Sequence, residues 1–129
     1  MTDTHARFRD AALARDIEAI RPLLADDVVF RSPAVHKPYT GIDAVLFLLR
    51  HVAATFEDFR YVDELTGPQS AALIFEARVG DRALQGIDHL RLGADGRIAE
   101  LTVMIRPLSG LTALAEAMGA RIQAAAADA

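Results

Sequence analysis

Between Phe59 and Ile105 the apolar residues recur with a period of two, in four consecutive stretches separated by turns too short to hold a crossover helix. Phe59 and Tyr61 alternate with Arg60 and Val62, and Leu73, Phe75, Ala77 and Val79 alternate with Ala72, Ile74, Glu76 and Arg78. Leu84, Gly86, Asp88, Leu90 and Leu92 share one face of the next stretch, and Ala99, Leu101, Val103 and Ile105 share a face of the last. Thr66-Gly-Pro-Gln, Gly80-Asp81 and Gly93-Ala-Asp-Gly96 have the composition of hairpin turns. An antiparallel meander follows, and parallel βαβ topology does not fit.

The flanking segments change period. Phe8, Ala11, Ala12 and Arg15 lie on one face of a helix that Thr4 is placed to cap, and Asp16 starts a second short helix carrying Ile17, Ile20, Leu23 and Leu24, which Pro22 shortens. After the Asp26-Asp27 break, Val28 to Arg31 reads as a strand stopped by Ser32-Pro33, with a loop to Tyr39. Thr40-Gly-Ile-Asp43 has capping-box spacing ahead of a buried helix reaching about Ala54. Pro107 ends the last strand, and Leu111, Leu114, Ala115, Met118 and Ile122 make a helical stripe before an Ala-rich tail expected to fray. Helices followed by a curved antiparallel sheet specify a single α+β domain over residues 1–129, with helices on one sheet face and a core between. The other face carries Val62, Ile74, Ile87 and Met104, too apolar for open water, and implies a homodimer through that face.

Composition narrows the function. With no Cys there is no disulfide, thiolate nucleophile or Cys-based zinc site, which fits a reducing, cytoplasmic setting. A net charge of −4, with 13 Arg and one Lys dispersed along the chain, argues against nucleic-acid binding. The start, Met1-Thr-Asp-Thr-His, is polar and lacks a secretory pattern, and no apolar run is long enough for a bilayer, so no membrane partner is expected. The four His have no metal-ligand spacing, and neither a phosphate-binding glycine motif nor G-x-S-x-G is present. No metal or cofactor is expected.

Asp88 is the residue that points to chemistry, because alternation puts it among Leu84, Gly86, Leu90 and Leu92 on the face that meets the helices. A carboxylate there is costly unless its pKa rises or it finds a partner, either a backbone amide or an Arg in a purely structural role. His36 and Tyr39 sit in a Pro-bracketed loop where polar groups line pocket mouths, although a solvated His fits the same pattern. His51 reads as a core or interface residue, and His89 faces away from Asp88, toward the dimer face.

Asp16-Ile-Glu-Ala-Ile, Leu24-Ala-Asp-Asp27, Ser32-Pro33 followed by Gly41, and Ile87-Asp-His-Leu-Arg-Leu before Gly93-Ala-Asp-Gly96 resemble the pattern of the bacterial ketosteroid isomerases. The resemblance spans nearly the whole chain and extends to the SnoaL-like members of the nuclear-transport-factor-two-like superfamily. It implies a cystatin-like cone around an apolar cavity, usually dimeric, with Asp88 at the position of the protonated oxyanion-binding Asp. Ser32 stands where those isomerases carry their Asp base and Phe8 where they carry a Tyr, so two of three roles are vacant.

The expected cavity wall comprises Phe8, Ser32, His36, Tyr39, Leu73, Phe75, Leu101 and Val103, around Asp88 as general acid or hydrogen-bond donor to a small apolar, carbonyl-type ligand. An isomerase or cyclase, a non-catalytic binder and a dimerisation module remain in competition. An open cavity with Asp88 free of Arg favours ligand chemistry, and a filled cone favours the module.

Overall fold

The computed structural model describes residues 3–127. Met1 and Thr2 of the polar start, and Asp128 and Ala129 of the tail, lie outside the described residues. Helix α1 (Thr4–Ala14) and a 3-10 helix (Ile17–Leu23) lead into β1 (Leu24–Arg31) and the two-residue β2 (Tyr39–Thr40). Helix α2 (Ile42–Thr55) precedes the meander β3 (Glu57–Thr66), β4 (Ser70–Val79), β5 (Arg82–Leu92) and β6 (Ile98–Arg106), and α3 (Leu108–Ala127) closes the chain. The sheet order is β2-β1-β6-β5-β4-β3, open at both edges. The fold is α+β, with the helices on one face of the sheet.

The meander is antiparallel throughout, as its turns require. One pairing departs from the sequence expectation: β1 joins β6 in parallel, with Phe30 opposite Leu101. Short-range turn signals carry no information about this contact, because α2 and four strands intervene.

The inner face holds Leu73, Phe75, Ala77, Leu84, Leu90 and Leu101, all buried against the helices. Phe8, Ile20, Val45, Leu46 and Leu49 supply the helical half of that core. A smaller cluster of Phe56, Phe75, Ala77, Leu84 and Leu114 sits where α3 crosses the strands. Phe75 faces Gly86 across the ladder, and a Cβ at Gly86 would lie 2.3 Å from Cζ of Phe75 and 2.8 Å from the Met104 carbonyl oxygen. The Phe75 ring therefore occupies the space that a side chain at position 86 would need. On the outer face Ile74, Ile87 and Met104 are direct cross-strand neighbours.

Local signals held unevenly. Asp16 caps the 3-10 helix, accepting from the Ala19 amide at 3.3 Å. Thr4 is no cap, because Asp3 occupies that position; the Thr4 hydroxyl instead donates to the Gly96 carbonyl at 2.7 Å, tying α1 to the β5–β6 turn. Thr40 is committed to β2 opposite Val29, so α2 starts from Gly41 at φ 98° without a side-chain cap. The Gly41 amide donates to the Val28 carbonyl at 2.8 Å, which holds the helix start on β1. Asp26-Asp27 is an irregularity inside β1, whose pairing with β6 begins at Leu24 and shifts register before Val29. The Ala-rich segment is helical through Ala127, consistent with the high helix propensity of Ala. Among the described residues no helix is long and apolar enough to cross a membrane.

Candidate functional site

Helices laid across a curved sheet leave a space where the curve is deepest, and here that space is a cavity of about 550 Å³. Phe8, Ala12 and Leu13 of α1 form one side, with Leu48, Leu49 and Val52 of α2 beside them. Leu114, Met118 and Ile122 of α3 lie opposite, and Phe59, Tyr61, Asp88, Val103 and Ile105 form the sheet floor. The volume falls within the roughly 300–1,000 Å³ usual for small-molecule sites.

Asp88 lies mid-strand in β5, with Leu73 of β4 and Val103 of β6 as its cross-strand neighbours. It is 9% exposed, one of few buried polar residues in an apolar interior. Its partner is Tyr61, whose hydroxyl donates to Oδ2 of Asp88 at 2.7 Å. Tyr61 belongs to β3, two strands away, and its ring spans β4 to make this contact. Phe59 and Phe75 steer it there, meeting the Tyr61 ring edge-on with centroids at 5.0 and 6.4 Å. Irregular register on either side of Tyr61, between Glu57 and Arg60 and between Tyr61 and Asp63, bends β3 over the floor.

Desolvation pushes the Asp88 carboxyl up to about 7, against the smaller opposing effect of the Tyr61 hydrogen bond. Burial and the neighbouring Asp88 carboxylate raise Tyr61 further above its ordinary range, so its hydroxyl stays protonated. Of the two structural roles open to Asp88, pairing with Arg is not observed: among the described residues the ion pairs are surface contacts, and none includes it.

The structure distributes the other expected wall residues in two groups. Phe8, Ser32, Tyr39 and Val103 line the cavity with Asp88. Leu73, Phe75 and Leu101 lie outside the lining set and are fully buried core side chains, so period-two alternation located their face correctly but not their depth. His36 is exposed on its loop and also lies outside the wall. The Ser32 hydroxyl accepts from the Ala34 and Val35 amides at 3.0 and 3.3 Å, so this side chain builds the loop it begins. His51 packs edge-on against Phe47 at 4.5 Å, and His89 lies on the outer face opposite Ala72 and Thr102. Tyr61 is the site residue that sequence reasoning missed, although its alternation with Phe59 already placed it on the inner face. Among the described residues no group of three or more His, Asp or Glu is placed to hold a metal ion.

Residues 5–101 match the model of the SnoaL-like domain. The chain belongs to the SnoaL-like family. A steroid delta-isomerase from Pseudomonas aeruginosa is 45% identical, with a TM-score of 0.92 and 96% of this chain and 92% of that one covered. An uncharacterized protein with a cystatin-like fold from Silicibacter pomeroyi is 36% identical at a TM-score of 0.91, covering 95% and 87%. A protein of unknown function from Mesorhizobium loti, described as NTF2-like, is 20% identical with a TM-score of 0.73, covering 81% and 89%, and shares the fold. No curated protein matches.

The Asp88 environment sets a pH dependence of stability for this SnoaL-like domain. Its pKa is raised from 3.8 to about 7 in the folded state, so between those values the native protein holds a proton that the unfolded chain has released. Stability therefore falls as pH rises through this window, by on the order of 4 kcal/mol once Asp88 is fully ionised. Denaturant midpoints measured from pH 4.5 to 8 should decline in wild type and decline less in Asp88→Asn. In Tyr61→Phe, NMR titration should place the Asp88 carboxyl above its wild-type value, because a donor to the carboxylate has been removed. An Asp88 that titrates near 4 in wild type would contradict this account.

Proposed function

We propose that this protein takes a small, apolar carbonyl compound into the cavity and polarises its carbonyl with the neutral carboxyl of Asp88. The observation that carries this reading is the Tyr61–Asp88 hydrogen bond of 2.7 Å on the floor of an apolar cavity. With Oδ2 engaged by Tyr61, a proton on Oδ1 is available to a ligand oxygen. A carboxyl whose pKa is near 7 is matched to donating and recovering a proton at neutral pH.

The chemistry this favours is acid-assisted, of isomerase or cyclase type, in which charge gathers on an oxygen facing Asp88. The cavity's other carboxylate, Asp58, is held by Arg78 at 2.6 Å, and Ser32 cannot act as a base near neutrality. That donor set suits a substrate that enolises readily or supplies its own nucleophile. It does not suit the paired base and oxyanion donors of a ketosteroid isomerase.

Binding of 2-naphthol, whose phenolic oxygen stands in for an enol, tests the donor directly. Loss of a hydrogen bond to a buried group corresponds to roughly ten- to a hundredfold in affinity. Asp88→Leu should weaken binding by about that factor at pH 6, with Asp88→Asn between the two because it keeps an N–H donor. Equal affinity of wild type and Asp88→Leu would overturn the reading.

The vacant base is testable by restoring it. Wild type should show little 3-oxosteroid isomerase activity, and Phe8→Tyr with Ser32→Asp should raise it by on the order of a hundredfold. Asp at position 32 can accept from the Ala34 and Val35 amides as Ser32 does, so the loop has a means of surviving the change. Efficient turnover by the unmodified protein would contradict the assignment.

We further propose that the chain forms a homodimer through the outer sheet face. Ile74, Ile87 and Met104 form an unbroken cross-strand row there, and Met104 and Val62 are 53% and 48% exposed in the single chain. A two-fold axis through this row would bury it against its own copy. Sedimentation should give twice the 14.0 kDa chain mass, and Ile87→Asp with Met104→Asp should give a folded monomer. A monomer at all concentrations in wild type would refute this.

A further inference from the structure

The mouth of the cavity differs from its floor in carrying a cation. Arg15 follows the last residue of α1 in a left-handed backbone conformation, φ 58° and ψ 28°, and lines the cavity together with Leu13 and Val35. Leu13 and Val35 are large apolar side chains left 47% and 46% exposed, so the rim is a greasy collar. Arg15 is the cation among the lining residues, and no carboxylate of the described residues lies within ion-pair distance of it.

The acids nearby are engaged elsewhere. Asp58, also in the wall, is paired with Arg78. Asp16, the next residue, caps the 3-10 helix, and Glu18 is shared between Arg21 and Arg50. The Arg15 guanidinium donates from Nη2 to the Phe56 carbonyl at 3.2 Å, which holds it over the α2–β3 junction and leaves most of its N–H donors unused. A guanidinium in that state is suited to a planar, two-oxygen anion.

We infer that the ligand is an apolar carboxylic acid, with its body inside the cavity and its carboxylate at the mouth on Arg15. This deepens the carbonyl-polarising reading and rests on it for the orientation of the ligand, with the carbonyl at Asp88 and Tyr61 and the acid at the rim. It also specifies the ligand class: an oxo acid with its two oxygen functions at opposite ends of a rigid apolar frame.

The test compares 2-naphthol with 6-hydroxy-2-naphthoic acid, which carries a carboxylate on the far ring, by fluorescence titration at neutral pH. For wild type at low ionic strength the acid should bind roughly five- to tenfold more tightly, and added salt should erode that margin. Arg15→Gln should abolish the margin while leaving 2-naphthol affinity unchanged, and Arg15→Lys should retain part of it. Because Lys preserves the charge, its partial retention also separates lost attraction from a disturbed α1 terminus. If 2-naphthol binds in an Asp88-dependent way but the acid gains nothing, the inference fails and the carbonyl reading stands. If the acid depends on Arg15 but neither probe depends on Asp88, the carbonyl reading fails and the anion site stands. If neither probe binds, both are overturned.

Discussion

The interior of this protein is organised around a carboxyl group that has, among the described residues, one hydrogen-bond donor and no counter-ion. Moving an ionised carboxylate into apolar surroundings costs far more than a single neutral hydrogen bond returns, so the carboxyl holds its proton up to about pH 7. That condition constrains everything near Asp88. The cross-strand neighbours are Leu73 and Val103, the helices above present aliphatic and aromatic faces, and the one polar contact comes from a phenol that stays protonated itself. A guanidinium placed beside Asp88 would have ionised it and removed the donor. The protein's Arg residues instead stay at the surface or, in the case of Arg15, at the rim.

Geometry and charge together divide the cavity into two ends. The floor offers a carboxyl donor in apolar surroundings, where a hydrogen bond to a developing oxyanion is worth more than in water. The mouth offers a permanent positive charge in partial contact with solvent. Under the reading proposed above, a ligand with an oxygen function at each end would be held in a single orientation, which a wholly apolar molecule in an apolar cone would not be. Orientation of this kind is itself a contribution to rate when the reacting carbon must face one donor.

The sequence makes the meander, most of its strand faces and the anomaly of Asp88 legible, because each rests on a period of two and on turns of a few residues; at the start of β6 a register shift buries Ile98 where the alternation selects Ala99. It makes Asp16 legible as a cap for the same local reason. What it hides are relations between distant segments. The parallel contact of β1 with β6 leaves no local mark, and Thr4 and Thr40 fail as caps because tertiary partners, the Gly96 carbonyl and the β2 ladder, claim them first. Tyr61 illustrates the point within the site. Its face is readable from Phe59, but its reach depends on the register of β3 against β4 and β4 against β5, and only the assembled sheet supplies that. Leu73, Phe75 and Leu101 show the converse, since being on the inner face is not the same as bordering empty space.

Tyr61 is carried by an edge strand, and irregular pairing flanks it on both sides. The floor of the cavity is built on β5, which is paired on both sides by β4 and β6, whereas the group that seats its carboxyl belongs to the edge strand of the meander. Insertion or deletion of one residue in β3 would turn the phenol to the outer face and leave the central strands paired as before. Evolution within such a scaffold has a short route between a protein with a seated acid and one with only a greasy hollow. Related folds can therefore diverge in chemistry through the edge of the sheet while their interiors remain superimposable.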